Sequence, residues 1–320
     1  METLSRSPHV PSMSISTSGR DSPLVFAPNS ESEEWIREWQ SIEAKELIDS
    51  QITAIDTETS VEDACDDLLS NDMSCIAIKD PSGASVSSPF LGLFDYADVN
   101  AFLTLAALQH MKSADELHDT PRAEEIVKAA KAGKVPVRLV SNLSEKDPLE
   151  VLPDTATLVD LLRVFATGIH RILIRSSTTD SPNQKYLGFV TDRSLLAYFH
   201  AHAQSSAPLS RFLANALHSL ALPSISLRAA VVSCTASARV LDAMERMSEQ
   251  GVSSIAVVED TPATGPGQMT LLSAVSVTDI GKLVVPAQSN QILQMSLQQF
   301  VAQIKEPDGS IMETVIAIYF

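Results

Sequence analysis

The chain has 320 residues, 44% hydrophobic and 20% charged, which gives it the apolar content for real cores and the length for about two domains. Its 23 lysines and arginines face 40 aspartates and glutamates, a formal charge of −17. That charge excludes a general nucleic-acid binder or a polybasic membrane-surface protein, because both need a positive field. Aromatics at 5% exclude a base-stacking platform as well, and no run approaches the roughly 18 apolar residues of a membrane span. Three cysteines, Cys65, Cys75 and Cys234, cannot build a disulfide framework. The first two sit in apolar stretches and read as small core residues of a reduced, intracellular protein. No CxxC pair or metal-spaced histidine cluster occurs, so no metal is expected.

In chain order, residues 1–31 are rich in serine and proline and poor in large apolar side chains, so they cannot offset their ordering entropy and read as a disordered tail. Ser7 and Ser22 each precede proline and are candidate phosphorylation sites, although such pairs are common in any tail of this composition. Order begins near Glu31. Trp35 and Trp39, four apart, share one face of a helix that either packs on the first domain or docks a partner.

An internal repeat follows, and it governs the rest of the chain. Each copy runs strand, polar cap, amphipathic helix, strand, variable loop, strand, helix. The first copy reads Ile52–Asp56, a helix after Ser60, Ser74–Ile78 and Leu91–Val99. The second reads Leu149–Pro153, a helix after Thr157, His170–Ile174 and Leu187–Ser194. The third reads Ala230–Ser233, a helix after Ala238, Ser253–Val258 and Leu271–Asp279. Ser74 to Asp98 and His170 to Ser194 are both 24 residues; Ser253 to Asp279 is 26, the extra length falling in the 261–268 loop. Val240, Leu241, Met244 and Met247 show the three- and four-residue step of a helix, while Ser60 with Asp63 and Thr157 with Asp160 fit N-capping pairs.

These residues resemble the CBS-domain family, small βαββα units that pair into Bateman modules. The resemblance covers about 48–285. Ile169-His170-Arg171-Ile172 and Asp56-Thr57 are similar to the γ-subunit branch of AMP-activated protein kinase. The Ser-rich tail and the long acidic interval between the first two repeats resemble fungal γ-like CBS proteins that regulate a type-2A-like phosphatase. The resemblance implies an α/β fold of tandem CBS repeats: one complete Bateman pair at 32–205, and a third repeat at 206–320 whose fourth partner is truncated or missing. Residues 292–300 read as a connecting helix and 312–320 as a stray strand. A pair completed between two chains would make a homodimer, and an uncovered third repeat would expose an apolar face.

The resemblance also implies adenine nucleotide (AMP, ADP or ATP) in the cleft between repeats. A carboxylate accepts two hydrogen bonds from a ribose diol, an arginine fork suits phosphate, and an apolar slot suits the base. On the family's positions the ribose acids are Asp279 and Asp98, and the hydroxyls are Ser276, Thr278, Thr191, Thr57 and Thr235. The phosphate cations are His170, Arg171 and Arg193. The second repeat has Ser194 where the acid would stand. Asp95 stands where a hydroxyl is expected and would repel phosphate. An aspartate at a strand-to-helix turn is also an ordinary cap, and His170 and Arg171 could simply pair with an acidic surface. No nucleophile, phosphate-loop or metalloprotease motif occurs. The expected function is therefore non-catalytic. It is a nucleotide-responsive regulator in cytoplasm or nucleus that signals energy or stress status to a protein kinase or phosphatase and requires no cofactor, or else a ligand-independent interaction protein or phosphatase inhibitor.

Overall fold

A computed structural model describes residues 30–80, 89–111, 121–177, 186–214, 231–259, 270–282 and 289–305. The Ser/Pro-rich tail with Ser7 and Ser22, the 261–268 loop and the 312–320 segment lie outside the described residues.

Three three-stranded sheets share one plan, in which the first strand runs parallel to the second and the second antiparallel to the third. They are β1 (Ala54–Ile55), β2 (Cys75–Lys79) and β3 (Phe90–Asp95), then β4 (Glu150–Pro153), β5 (Arg171–Arg175) and β6 (Tyr186–Thr191), then β7 (Ser233–Thr235), β8 (Ser254–Val258) and β9 (Leu271–Ser276). The fold is thus α/β, with tandem CBS-type units. The third unit's first strand lies later than the apolar run Ala230–Ser233 predicted. Ser233 registers with Ala256, and Val231 and Val232 turn instead to a cavity.

Each parallel crossover is a helix: α2 (Val61–Ser70), α5 (Leu158–Phe165) and α8 (Val240–Gln250). Ser60 and Thr157 cap the first two by accepting the Asp63 and Asp160 amides, as their spacing predicts. The third has Arg239 in that place, its own amide held by Asp242 Oδ2 at 2.9 Å. It ends at Gly251, whose left-handed φ of 65° suits glycine. The closing helices are α3 (Tyr96–Met111), α6 (Asp192–Ala203) and α9 (Val277–Gly281). No helix among the described residues is long and apolar enough to cross a membrane.

The first two units pack sheet on sheet. Ala77 and Leu93 bury against Leu173 and Phe189, and Phe90 meets Tyr186 edge-on at 5.8 Å. The third unit docks differently, through helices. One continuous core joins Val61 and Phe102 of the first unit to Met244 and Met247 of the third, and Asn100 donates across it to the Met244 carbonyl at 3.2 Å. On the third sheet Ala256 and Ala274 stand where the second has Leu173 and Phe189, and both are buried, while Leu271 and Leu272 are exposed. The expected connecting helix is broken at Ser296, which bridges to Arg239, but it still buries Leu293, Leu297 and Phe300.

Trp35 and Trp39 do share a face. Trp39 meets Phe199 of the second unit's α6 edge-on at 5.1 Å, so their helix packs on the first domain. The chain after it crosses to the second unit: the Asp49 amide donates to the Phe189 carbonyl, and the Phe189 amide to Ser50. A Cβ on Gly188 would lie 2.5 Å from Ile48 Cγ2 and 2.6 Å from the Ser50 carbonyl oxygen. Gly188→Val should therefore cost about 1–3 kcal/mol in urea denaturation by overpacking. Its half-exposed neighbour, as Leu187→Ser, should stay within about 0.5 kcal/mol.

Candidate functional site

A cavity of about 1060 Å³ opens where the three units meet. Ser74, His170 and Ser253, which hold the same place in their repeats, all line it. Its walls differ in character. Val231, Val232, Met247, Ile255 and Val277 of the third unit make an apolar side. The second unit and the linker before it supply His170, Arg171, Asp192, Arg193 and Lys146.

The linker is built into the fold by two acids. Asp98, at the start of α3, is 2% exposed. Its Oδ1 accepts the Ser144 amide at 2.9 Å and its Oδ2 the Asn142 amide at 3.0 Å, with a longer bond from Asp95. Burial, and then the charge of Asp95, push its carboxyl up to about 7 despite those amides. Asp95 is also pushed up by burial, offset in part by Arg171. Further along the same linker, which forms a strap from Asn142 to Asp147, Asp147 is buried, with Oδ2 2.7 Å from Arg171 Nε and Oδ1 accepting the His170 amide at 3.0 Å. The same guanidinium donates to the Ser74 carbonyl at 3.3 Å and lies 4.0 Å from Asp95.

These contacts show how two of the expected nucleotide residues are engaged. Asp98 holds backbone amides with both oxygens and does not line the cavity. Arg171 reaches the cavity wall, but its fork is turned to Asp147 rather than to an incoming phosphate. The remaining acid, Asp279, lies at the start of α9. Its Oδ2 accepts the Ser276 amide and hydroxyl, both at 2.9 Å, so Asp279 and Ser276 form a capping box, and Thr278 beside them lines the cavity. Thr191 lines it too, and donates its hydroxyl to Asp49. Thr57 is buried in the first unit and Thr235 sits at the exposed end of β7, neither on the cavity wall. His170 Nδ1 lies 3.0 Å from Asp192 Oδ2. The cavity thus gathers Thr278, Thr191, His170, Arg171 and Arg193, and leaves Asp98, Asp279, Ser276, Thr57 and Thr235 outside.

Lys146, Asp147 and Asp49 were not singled out by sequence, because they belong to linkers and a repeat alignment passes over them. Among the thiols, Cys65 is a core residue whose burial raises its pKa to about 12. Among the described residues no group of three or more His, Cys, Asp or Glu side chains could hold a metal ion.

The repeated strand plan and the junctional cavity define a class. Residues 140–201 and 225–280 match the CBS domain. The first unit has the same topology, read from its structure. Among named relatives the chain is similar to protein sds23 of Aspergillus niger, 28% identical over 287 residues, covering 88% of this chain and 52% of that protein. It is likewise similar to protein sds23/moc1 of Schizosaccharomyces pombe, 28% identical over 274 residues, covering 85% and 60%. The chain spans about half the length of the curated relatives it matches. The crystal structure of protein MJ1225 from Methanocaldococcus jannaschii, proposed as an archaeal homolog of g-AMPK, superposes with a TM-score of 0.55 at 13% identity over 81% of each chain, a likeness of fold.

Two outcomes follow from the strap. Arg171→Met leaves Asp147 buried without its cation and should cost about 3–5 kcal/mol in denaturation, whereas Arg193→Met, on an exposed side chain, should stay within about 0.5 kcal/mol. Asp98 has its folded pKa raised above the unfolded value near 3.8, so its contribution is fully present at low pH and is lost as pH rises through about 7. Stability measured by urea titration should fall between about pH 4 and 7 in the parent chain, and Asp98→Asn should remove that slope. A slope unchanged in the variant would dissociate it from Asp98.

Proposed function

We propose that the chain is a non-catalytic regulatory protein that binds an adenine nucleotide in the junctional cavity and passes energy or stress status to a protein partner such as a kinase or a type-2A-like phosphatase. The observation that carries the reading is the two-sided cavity. The third unit brings apolar side chains to the cavity, and the second unit and its linker bring Lys146, His170, Arg171 and Arg193 among the carboxylates of Asp147 and Asp192, which suits a ligand with a flat base at one end and an anion at the other. Thr278 and Thr191 add hydroxyls on the wall. Because three units share the cavity, a ligand that fits one arrangement of them better than another shifts that equilibrium by its differential affinity. No cofactor is required for this role, and its setting is the cytoplasm or nucleus.

One observation favours a second reading, a ligand-independent interaction protein or phosphatase inhibitor: Asp98 and Arg171, on family nucleotide positions, are engaged inside the fold.

Calorimetric titration of AMP, ADP and ATP separates the two. The nucleotide reading expects saturable binding that is lost in Thr278→Trp, where an exposed side chain on the wall is replaced by one that fills the cavity. A folded chain that binds none of the three sinks it in favour of the second reading.

A further inference from the structure

The register of the repeats shows one helical face covered in two different ways. Asp95 and Thr191 hold the same place opposite the first residues of β2 and β5, so Asn100 corresponds to Leu196 and Leu103 to Phe199. In the first unit this face docks the third unit. Leu68, Phe102 and Leu103 lie in the core shared with Met244 and Met247 of α8, and Asn100, 2% exposed, donates to the Met244 carbonyl. In the second unit the corresponding Phe165, Tyr198 and Phe199 are only partly buried, and Leu196 is 68% exposed. Helix α1 (Ser30–Trp39) lies across α5 and α6 there, with its Trp39 ring on Phe199 and its Trp35 ring 6.2 Å from that of Trp39. From Ile42 onward the chain is tied to the second unit by backbone: the Leu158 amide donates to the Ile42 carbonyl at 2.9 Å, and the Ala44 amide to the Ala156 carbonyl at 2.7 Å. Helix α1 meets that unit through aromatic rings, and Gln40 and Ser41 between the two stretches are exposed. Its ten residues are too few to hold a helix in water without packing. Glu33, Glu34 and Glu38 on its outer side are all exposed.

We infer that α1 is a detachable cover: it occupies on the second unit the place that the third unit takes on the first, and while docked it keeps that face from pairing with the same face of a second copy of the chain. The occupant follows from what each chain leaves free. The helical face of the third unit is engaged by the first unit, so the face a second copy can offer is that of its own second unit, and two such faces meet about a twofold axis. Uncovered, Phe165, Phe199 and Leu196 make an apolar patch of the kind that associates. Covered, the face presents three carboxylates, which repel another chain of charge −17. Trp39, Leu196 and Phe199 do not line the cavity, and the inference is independent of the nucleotide reading.

The test uses the full chain, whose two tryptophans both lie in α1 and report its docking. Trp39→Ser is read by the emission of Trp35, and Trp35→Ser, the milder change because its ring lies a turn away from the Phe199 contact, by that of Trp39. Each is measured by fluorescence and by light scattering over a range of protein concentrations, with circular dichroism to confirm folding. If Trp39→Ser does not fold, Trp35→Ser carries the same expectation. Expected in each variant are a red-shifted emission and a mass that rises with concentration toward twice that of the parent. Adding Leu196→Glu, at an exposed position, should return the mass to that of the parent and leave the emission red-shifted. Trp39→Phe, which keeps a ring on Phe199, should match the parent in mass. A red shift without a rise in mass overturns the inference. So does an emission unchanged in both serine variants, because α1 is then held by something other than its rings. A parent that Leu196→Glu dissociates also overturns it, because the face is then open with α1 in place.

Discussion

A guanidinium that is 12% exposed has to be neutralised where it lies, and the junction of this molecule is organised around that requirement. Arg171 begins β5, so its position is set by the sheet of the second unit. The anion that meets it, Asp147, comes from the linker. Asp98 fixes the other end of that strap through the amides of Asn142 and Ser144. Between the two anchors the backbone takes left-handed conformations at Asn142 and Glu145, with φ of 53° and 56°, which a free loop of such residues would seldom choose. The ion pair and the amide clamp hold that path in place, and the cavity wall is its outer surface.

The way the units associate explains why a cavity exists at all. The first two bury large side chains, Leu173 and Phe189 against Leu93, between their sheets. The third carries Ala256 and Ala274 at the matching places and joins instead through α3 and α8. Sheet pairing and helix docking leave the three loops that precede β2, β5 and β8 pointing at a common space. That convergence brings Ser74, His170 and Ser253 together although nearly a hundred residues separate the first two.

The repeat was legible because its signals are local. Capping pairs, the alternation of the strands and the near-constant spacing from the Ser74 position to the closing helix all survive in one sequence, and the sheets follow them closely. The site was legible only in part. Thr278, Thr191, His170 and Arg193 reached the cavity because repeat position predicts which strand ends face it. Arg171 reaches the cavity wall and Asp98 does not, and the contacts of both depend on Asp147 and the amides of the strap. Those are contacts of high sequence separation with no periodicity to announce them. The broken helix at Ser296 and the late start of β7 have the same origin: a bridge to Arg239 and a register with Ala256 overrode the apolar pattern.

The consequence for function lies in which residues remain available. Duplication supplies the same positions to every unit, yet here a family acid has become the clamp of a linker and a family base its counter-ion. Lys146 lies outside the repeat pattern, and its place is dictated by the clamp and the counter-ion on either side of it. A ligand that drew on Lys146 would pull on a strap tied to the first unit at Asp98 and to the second at Arg171, while the ammonium itself lies against the last turn of α8 in the third. One short segment thus touches all three units. A shift of this strap is felt at all three units, whereas the first and third are otherwise joined by the shared apolar core of α3 and α8 and by the hydrogen bond from Asn100 to the Met244 carbonyl.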